Sequence, residues 1–488
     1  MNFGIRLGVI LSAFCLLVGS RVSAQAENSA IEIRGVVEGF YGKPWSEAER
    51  LDQFSFYREQ GLNTYIYAPK DDPYHREQWR QPYPAEKIKN LQHLIAGAEA
   101  NNVDFVFALS PGLDMHFGGA EGERDVEALL AKFERLYDMG VRSFAVFFDD
   151  IENKDAPAQA AVLNEINRRF IHKKSEIRHF FTVPTEYFSA DMKPDGIVSP
   201  YTRVFAAALD QDILVLYTGQ GVVCEGITRE DIEAIAAIYR RRMAVWWNYP
   251  VNDYRRGKLA LGPIVGLEAG AEQFMAGFIM NPMEESRLSK ISLATGADYA
   301  ADPKHYAPDA AWGNAIQAQY KSLAPAMQEF ADHSQRMENS WARTGRDDAR
   351  QLRQRLDRYL SLFQREQDTD LTAALLRDDF MAMKKASSVL AAGLAPEVRA
   401  ECSHQLQRFY ALAVADETAL AMLQARASGQ KHASEYLRRK LMQRQEQLAA
   451  DDIHLSEKTA KKFIAEALTL TAEKASRDEE KRNMGRTK

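Results

Sequence analysis

From Ile31 to about Pro282, short apolar or aromatic runs return at intervals of about 30 to 40 residues. The stretches between them carry apolar residues at helical spacing, so the pattern predicts repeated strand–helix units. Strands are expected near Ile33–Val37, Thr64–Tyr67, Phe105–Leu109, Phe144–Phe148, Phe180–Val183, Ile213–Tyr217, Ala244–Trp247 and Phe278–Met280. Helices are expected over Ser46–Glu59, Glu86–Ala100, Asp125–Asp138, Pro157–Arg169 and Arg229–Arg241, the first opened by Ser46 as N-cap. Eight such units in about 250 residues match an α/β fold of the (β/α)8, TIM-barrel type. An open doubly wound sheet is the alternative.

After about Trp312 the pattern changes. Proline nearly vanishes, leaving Pro325 and Pro396, and Leu352, Leu356, Leu360 and Phe363 fall at helical spacing. This predicts an all-α helical bundle of five or six helices, read either as a stabilising appendage or as a part that helps form a homodimer or shapes the surface beside the barrel mouth. The expected division is residues 1–24 as a signal peptide, 25–305 as the barrel, 306–470 as the bundle and 471–488 as a charged, disordered tail.

Composition matters most at the amino terminus. Arg6 is followed by the apolar run Leu7–Val18 and by Val22-Ser23-Ala24, the pattern of a secretory signal cleaved near Ala24. Export to the periplasm or the medium is therefore expected. Cleavage removes two arginines and no acids, taking the formal net charge from −6 to −8. A mildly acidic chain without a basic cluster argues against nucleic acid as a partner, and no later run is long enough to span a membrane. Cys224 and Cys402, the cysteines left after cleavage, make no disulfide framework. Scattered histidines, no P-loop and no GxGxxG after a strand leave metals and nucleotide cofactors unsupported.

Candidate chemistry lies at the strand ends. The apolar run Phe144–Phe148 stops at Asp149-Asp150. Such a pair can be a turn, a helix N-cap, a divalent-metal ligand or a catalytic pair in which one acid is ionised while the other carries a proton. Every other strand also ends in polar or turn-forming residues: Glu38-Gly39-Phe40-Tyr41, Lys70-Asp71-Asp72, Ser110 with Asp114, Glu186-Tyr187, Thr218-Gly219, Asn248 with Asp253, and Asn281. In a barrel these converge on one mouth. Aromatic, amide and carboxylate groups together suit a sugar, whose ring faces stack and whose hydroxyls hydrogen-bond. Trp247 has two readings, sugar stacking or barrel packing.

At these residues the chain resembles glycoside hydrolase family 84, the O-GlcNAcases and related β-N-acetylglucosaminidases. The matching blocks begin with Gly35–Gly42, Tyr65–Tyr74 and Phe144–Ile151. They continue with Pro184–Tyr187, Trp246–Tyr254 and Asn281–Met283, in order along the proposed barrel. The resemblance implies exo-hydrolysis of terminal β-linked N-acetylglucosamine with retention, through an oxazoline formed by the sugar's own acetamido oxygen. By match, Asp149 orients and stabilises the acetamido group, while Asp150 is the general acid and then the general base. The same match puts Tyr187 on the acetamido oxygen, Asp253 and Asn281 on O4 and O6, and Gly39 and Lys70 on O3. Asn248 touches the acetamido group; Trp246, Tyr41, Thr218 and Val222 line its pocket. Tyr217 and Gln220 depart from the family's Trp and Asp, which bears on the pocket rim and on leaving-group preference. The partner implied is a GlcNAc-bearing glycan or glycopeptide. An endo-acting, hyaluronidase-like enzyme and an inactive sugar-binding protein are the alternatives.

Overall fold

The computed structural model describes residues 30–486, so the expected signal peptide at residues 1–24 lies outside the described residues. Eight parallel strands close into a barrel in chain order, each hydrogen-bonded to the next and the last to the first. They are β1 (Ile33–Glu38), β2 (Thr64–Tyr67), β3 (Asp104–Leu109), β4 (Ser143–Phe147), β5 (His179–Val183), β6 (Leu214–Tyr217), β7 (Met243–Trp247) and β8 (Met275–Met280). The open-sheet alternative is thereby excluded.

Period-two alternation divides the strands between two packed layers. Ala145 and Phe147 point into the barrel with Val37, Ile66, Val106, Phe181, Leu216, Trp246 and Ile279. Phe144, Val146 and Phe148 point outward, with Tyr65, Phe107, Tyr217, Val245 and Trp247, against the helices. Small residues at Ala68, Ala108, Ala145 and Ala244 leave the interior room for the rings of Phe147, Phe181 and Trp246. Trp247 thus falls on the outward face and is barrel packing, 2% exposed.

The outer ring comprises α1 (Glu47–Gln60), α2 (Ala85–Ala100), α3 (Gly119–Asp138), α4 (Ala156–Arg169), the single turn α5 (Ser189–Met192), α6 (Pro200–Ala208), α7 (Arg229–Tyr239) and α8 (Ser286–Ala301). Ser46 caps α1 reciprocally with Glu49, and Gly61, at φ 71°, ends it. Sequence periodicity did not reveal α6 or α8. In α8 the inward face carries Ser289, Ser292 and Thr295 among its apolar residues. Ser292 and Thr295 bond to backbone groups of residues 260–264 and Ser289 to those of Met283 and Glu285, so hydroxyl residues interrupt the apolar stripe.

Among the described residues seven helices follow, where five or six were expected: α9 (Pro308–Tyr320), α10 (Ala324–Asp332), α11 (Arg350–Gln364), α12 (Asp370–Gly393), α13 (Pro396–Ala427), α14 (Lys431–Ala449) and α15 (Ala460–Arg486). Between α10 and α11 lies a two-stranded hairpin, β9 (Met337–Glu338) and β10 (Arg343–Thr344), which the all-α expectation did not contain. The expected disordered tail from residue 471 is corrected as well. The backbone stays helical through Arg486, Thr471 is buried, and Lys474 Nζ donates to the Phe363 carbonyl at 3.3 Å.

The bundle grips the barrel through charge and caps. Glu401 of α13 accepts from the main-chain N–H groups of Arg287 and Leu288, satisfying the first turn of α8. Lys258 and Asp348, each nearly inaccessible, pair at 2.7 Å, and Asp348 also accepts from the N–H groups of Gln335 and Arg336. Among the described residues no helix is long and apolar enough to cross a membrane.

Candidate active site

The carboxyl ends of the strands surround a cavity of about 350 Å³. Gly39, Tyr41, Lys70, Asp149, Asp150, Tyr187, Thr218, Val222, Trp246, Asn248, Asp253 and Asn281 all line it. They come from the ends of β1, β2, β4, β5, β6, β7 and β8, so only closure of the barrel brings them together.

The acid pair owes its geometry to the end of β4. Strand parity carries Asp149 inward after Phe147 and would carry Asp150 outward after Phe148. The strand stops at Phe147, and Asp150 takes φ 54°, a left-handed conformation uncommon outside glycine. That turn swings the second carboxylate back to the same cavity.

The two acids meet different surroundings. Asp149 is 7% exposed and its Oδ2 is paired with Lys70 Nζ, while its buried Oδ1 has no hydrogen-bond partner. Asp150 lies at the rim, where Tyr41 donates to Oδ2 at 2.7 Å and Tyr187 to Oδ1 at 2.9 Å. Burial would raise the Asp150 carboxyl. The charge of Lys70, the two tyrosine hydrogen bonds and Arg76 outweigh it and hold the group below the ordinary carboxylate range. Both tyrosine hydroxyls are shifted upward, first by burial and then by Asp150, so they stay protonated donors.

The far wall is knitted from β1, β7 and β8. Tyr41 N–H donates to Asp253 Oδ2 at 2.7 Å, and Gly39 N–H to Asn281 Oδ1 at 3.3 Å. Asn281 Nδ2 and Trp246 Nε1 both donate to Asn248 Oδ1, whose own amide donates to the Val222 carbonyl at 2.7 Å. Gly39 is obligatory: a Cβ there would sit 2.4 Å from the Trp246 ring. Burial raises the Asp253 carboxyl, opposed by the N–H groups of Tyr41 and Tyr254.

Other polar strand ends serve the fold. Glu38 takes a bidentate pair from Arg50 at 2.8 and 2.6 Å. Asp72 accepts from Tyr67 and Tyr83, Asp114 from Trp79, and Glu186 from Thr202 and Lys154. Ser110 contacts His75, whose burial holds the imidazole neutral with a pKa of about 3. Tyr217 also falls outside the cavity, its hydroxyl donating to Asp231 of α7, so that departure does not touch the pocket rim.

Sequence reading missed Arg76, which donates to the Tyr41 hydroxyl at 2.8 Å, and Trp341, a rim residue 59% exposed. Trp341 sits on the β9–β10 hairpin with its ring 5.4 Å from that of Tyr254, another lining residue. A position so far beyond β8 carries no local signal of belonging to the mouth. Among the described residues no cluster of His, Cys, Asp or Glu is arranged to hold a metal ion.

Comparison with known proteins agrees with this geometry. A family model described as beta-N-acetylglucosaminidase matches residues 34–332, and a hyaluronidase post-catalytic domain-like model matches residues 351–464. The protein O-GlcNAcase of Mus musculus is 36% identical over 276 residues, which are 54% of this chain and 29% of that protein. The chain thus spans about a third or less of the curated relative's length. The solved structure of CpGH84B superposes with a TM-score of 0.86 at 39% identity, covering 90% of this chain and 77% of that one. An O-GlcNAc hydrolase variant from Thermobaculum terrenum gives 0.82 at 27% identity, covering 92% and 97%. With a match running from β1 through α10 and the acid pair on one cavity, the chain belongs to the β-N-acetylglucosaminidase family of glycoside hydrolases, family 84.

Proposed function

We propose that this chain is a retaining exo-β-N-acetylglucosaminidase that acts on terminal β-linked GlcNAc with the sugar's acetamido oxygen as nucleophile. The observation that carries the reading is the buried, unpartnered Oδ1 of Asp149 on the cavity wall, beside an acid whose proton affinity is set separately. An orphaned carboxylate oxygen in such a place costs about 1–3 kcal/mol unless a ligand donates to it. An amide N–H is the donor that fits.

The reaction follows from the two environments. Asp149, paired with Lys70, accepts the acetamido N–H and stabilises the positive charge that develops on the amide. The acetamido oxygen attacks C1 as the C1–O bond breaks, and Asp150 gives its proton to the departing oxygen, which leaves as an alcohol. The anionic Asp150 then takes a proton from water as the water oxygen adds to C1 and the oxazoline opens. Two displacements at C1 retain the configuration. Ligand binding prepares Asp150 for the first step. Tyr187 turns from Asp150 Oδ1 to the acetamido oxygen, and the sugar displaces solvent, so a group held ionised in the empty site gains proton affinity.

Gly39, bonded to Asn281, and Asp253, which accepts from the Tyr41 N–H, close the far wall and favour a terminal sugar over an internal one. The amino-terminal signal pattern supports an exported enzyme. The test is turnover of an aryl N-acetylglucosaminide, an O-modified glycopeptide and a hyaluronan oligomer, with the anomer of the first product followed by NMR. Release of β-GlcNAc from the first two fits the reading. Internal cleavage of the polymer, or a trapped glycosyl ester on a protein side chain, overturns it.

A further inference from the structure

Arg76 lies on the loop after β2, six residues beyond Lys70, and approaches the acid pair from the side. Its Nη1 donates to the Tyr41 hydroxyl at 2.8 Å, and its Nη2 reaches the main-chain carbonyl of Asp150 at 3.4 Å. The guanidinium also lies over the Tyr41 ring, 5.6 Å from its centroid. Each contact constrains Asp150.

A tyrosine hydroxyl has one proton to give and lone pairs to receive. With Arg76 filling a lone pair of Tyr41, the single proton is directed to Asp150 Oδ2, 2.7 Å away. The other contact falls on the residue at φ 54°, where a left-handed backbone costs about 1–2 kcal/mol for an L-residue. A planar fork can serve a phenol oxygen and a carbonyl at once, which an ammonium cannot do in fixed geometry.

We infer that Arg76 is a positioning residue for the acid/base step: it braces the turn that presents Asp150 and, through Tyr41, sets how firmly Asp150 holds its proton. The inference rests on the acid/base role proposed above. The groups facing Asp150 are Tyr41 after β1, Lys70 and Arg76 after β2, its neighbour Asp149, Tyr187 after β5 and Asp253 after β7. Lys70 is committed to Asp149 by a direct ion pair. Among the described residues Arg76 makes no direct ion pair: its charge lies near both acids, but its hydrogen bonds run only to Tyr41 and Asp150, so its removal leaves the Lys70–Asp149 pair unbroken.

The experiment is kcat/KM against pH for the wild type, Arg76→Met, Arg76→Lys, Tyr41→Phe and Asp150→Asn, on an aryl N-acetylglucosaminide with a poor leaving group. Asp150→Asn identifies the limb of the profile that belongs to Asp150 as the one it abolishes. Arg76→Met loses a cation and a hydrogen bond that favour the ionised acid, so it is expected to move that limb to higher pH. Its plateau kcat should fall about tenfold with KM little changed, and Arg76→Lys should recover part of the loss. Tyr41→Phe should move the same limb in the same direction, and the double variant by less than the sum of the two. An Asp150 limb unmoved in both Arg76→Met and Tyr41→Phe, or a loss confined to KM, overturns the role given to Arg76. Full activity with both limbs intact in Asp150→Asn would instead defeat the acid/base reading on which it rests.

Discussion

At Asp149 the carboxylate faces Lys70 and keeps one oxygen unpartnered, whereas one peptide bond further on Asp150 accepts from two tyrosines. Replacement of each acid should therefore fail in its own way. Asp150→Ala is expected to lose about 10²–10⁴-fold in kcat on substrates with poor leaving groups and far less on an activated aryl glycoside, which departs without a proton. Asp149→Ala should depress both, because in the proposed mechanism the acetamido attack that Asp149 assists is needed whatever the leaving group. Rates across a series of aryl leaving groups read the difference, and equal losses at all of them in Asp150→Ala would remove it as the acid. The adjacent acids were legible in the sequence. Their convergence on one cavity was not, since it depends on a single positive φ that any Asp-Asp pair could have lacked.

Among the elements, α13 contains an oddity at Asp416: fully buried, with both carboxylate oxygens lacking partners. Burial alone holds this carboxyl well above its ordinary range. The folded chain then keeps a proton that the unfolded chain releases above about pH 4, so stability declines as pH rises beyond that point. Asp416→Leu should raise the melting temperature, by an amount that grows from pH 4 to pH 8 and corresponds to about 1–3 kcal/mol. Melts at a series of pH values check this; an increment independent of pH would show that packing, not the proton, is responsible. The β9–β10 hairpin carries another element-scale expectation. Trp341→Ala should raise KM several-fold for a glycopeptide, whose peptide would lie across the exposed ring, and much less for a leaving group too small to reach it. Steady-state kinetics on both substrates decides. Neither α8 nor the hairpin was visible in the apolar pattern. The first hides a core-facing stripe behind small hydroxyl residues, and the second is too short to have a period.

For the molecule as a whole, the bundle is tied to the segment that follows β7, which also carries Asp253 and Tyr254. Tyr249 donates to the Gln335 carbonyl at 3.0 Å, Asn339 to the Tyr254 carbonyl at 3.2 Å, and Lys258 pairs with Asp348. Gly257, at φ 79°, meets the Asp452 carbonyl so closely that a Cβ would lie 1.8 Å from it. Breaking the buried pair leaves one charge uncompensated, so Lys258→Met should cost about 3–5 kcal/mol and raise KM as the Asp253 wall loosens. Lys258→Met with Asp348→Asn should recover much of the stability, because the amide oxygen still accepts from Gln335 and Arg336. Thermal melts with KM for an aryl N-acetylglucosaminide test both statements. A normal KM in a destabilised Lys258→Met would show that the bundle supports the barrel without shaping its mouth.

Taken alone, the sequence determined the number and order of the barrel units and the polar character of their ends, because buried parallel strands must be short continuous apolar runs and the residues beyond them must turn. It also determined which residue types could serve a sugar. Only the tertiary structure decided which polar ends face the cavity and which are spent on Arg50, Trp79 or Lys154, since that depends on the partner each side chain meets across the fold. It decided likewise that Trp246 lines the site while Trp247 packs outside, that Asp150 turns back beside Asp149, that Trp341 belongs to the mouth and that Arg76 reaches Tyr41 and Asp150. The physical reason is the same in each case. Periodicity specifies a residue's local direction, and chemistry needs its distance to residues tens or hundreds of positions away, which barrel closure and domain packing alone fix.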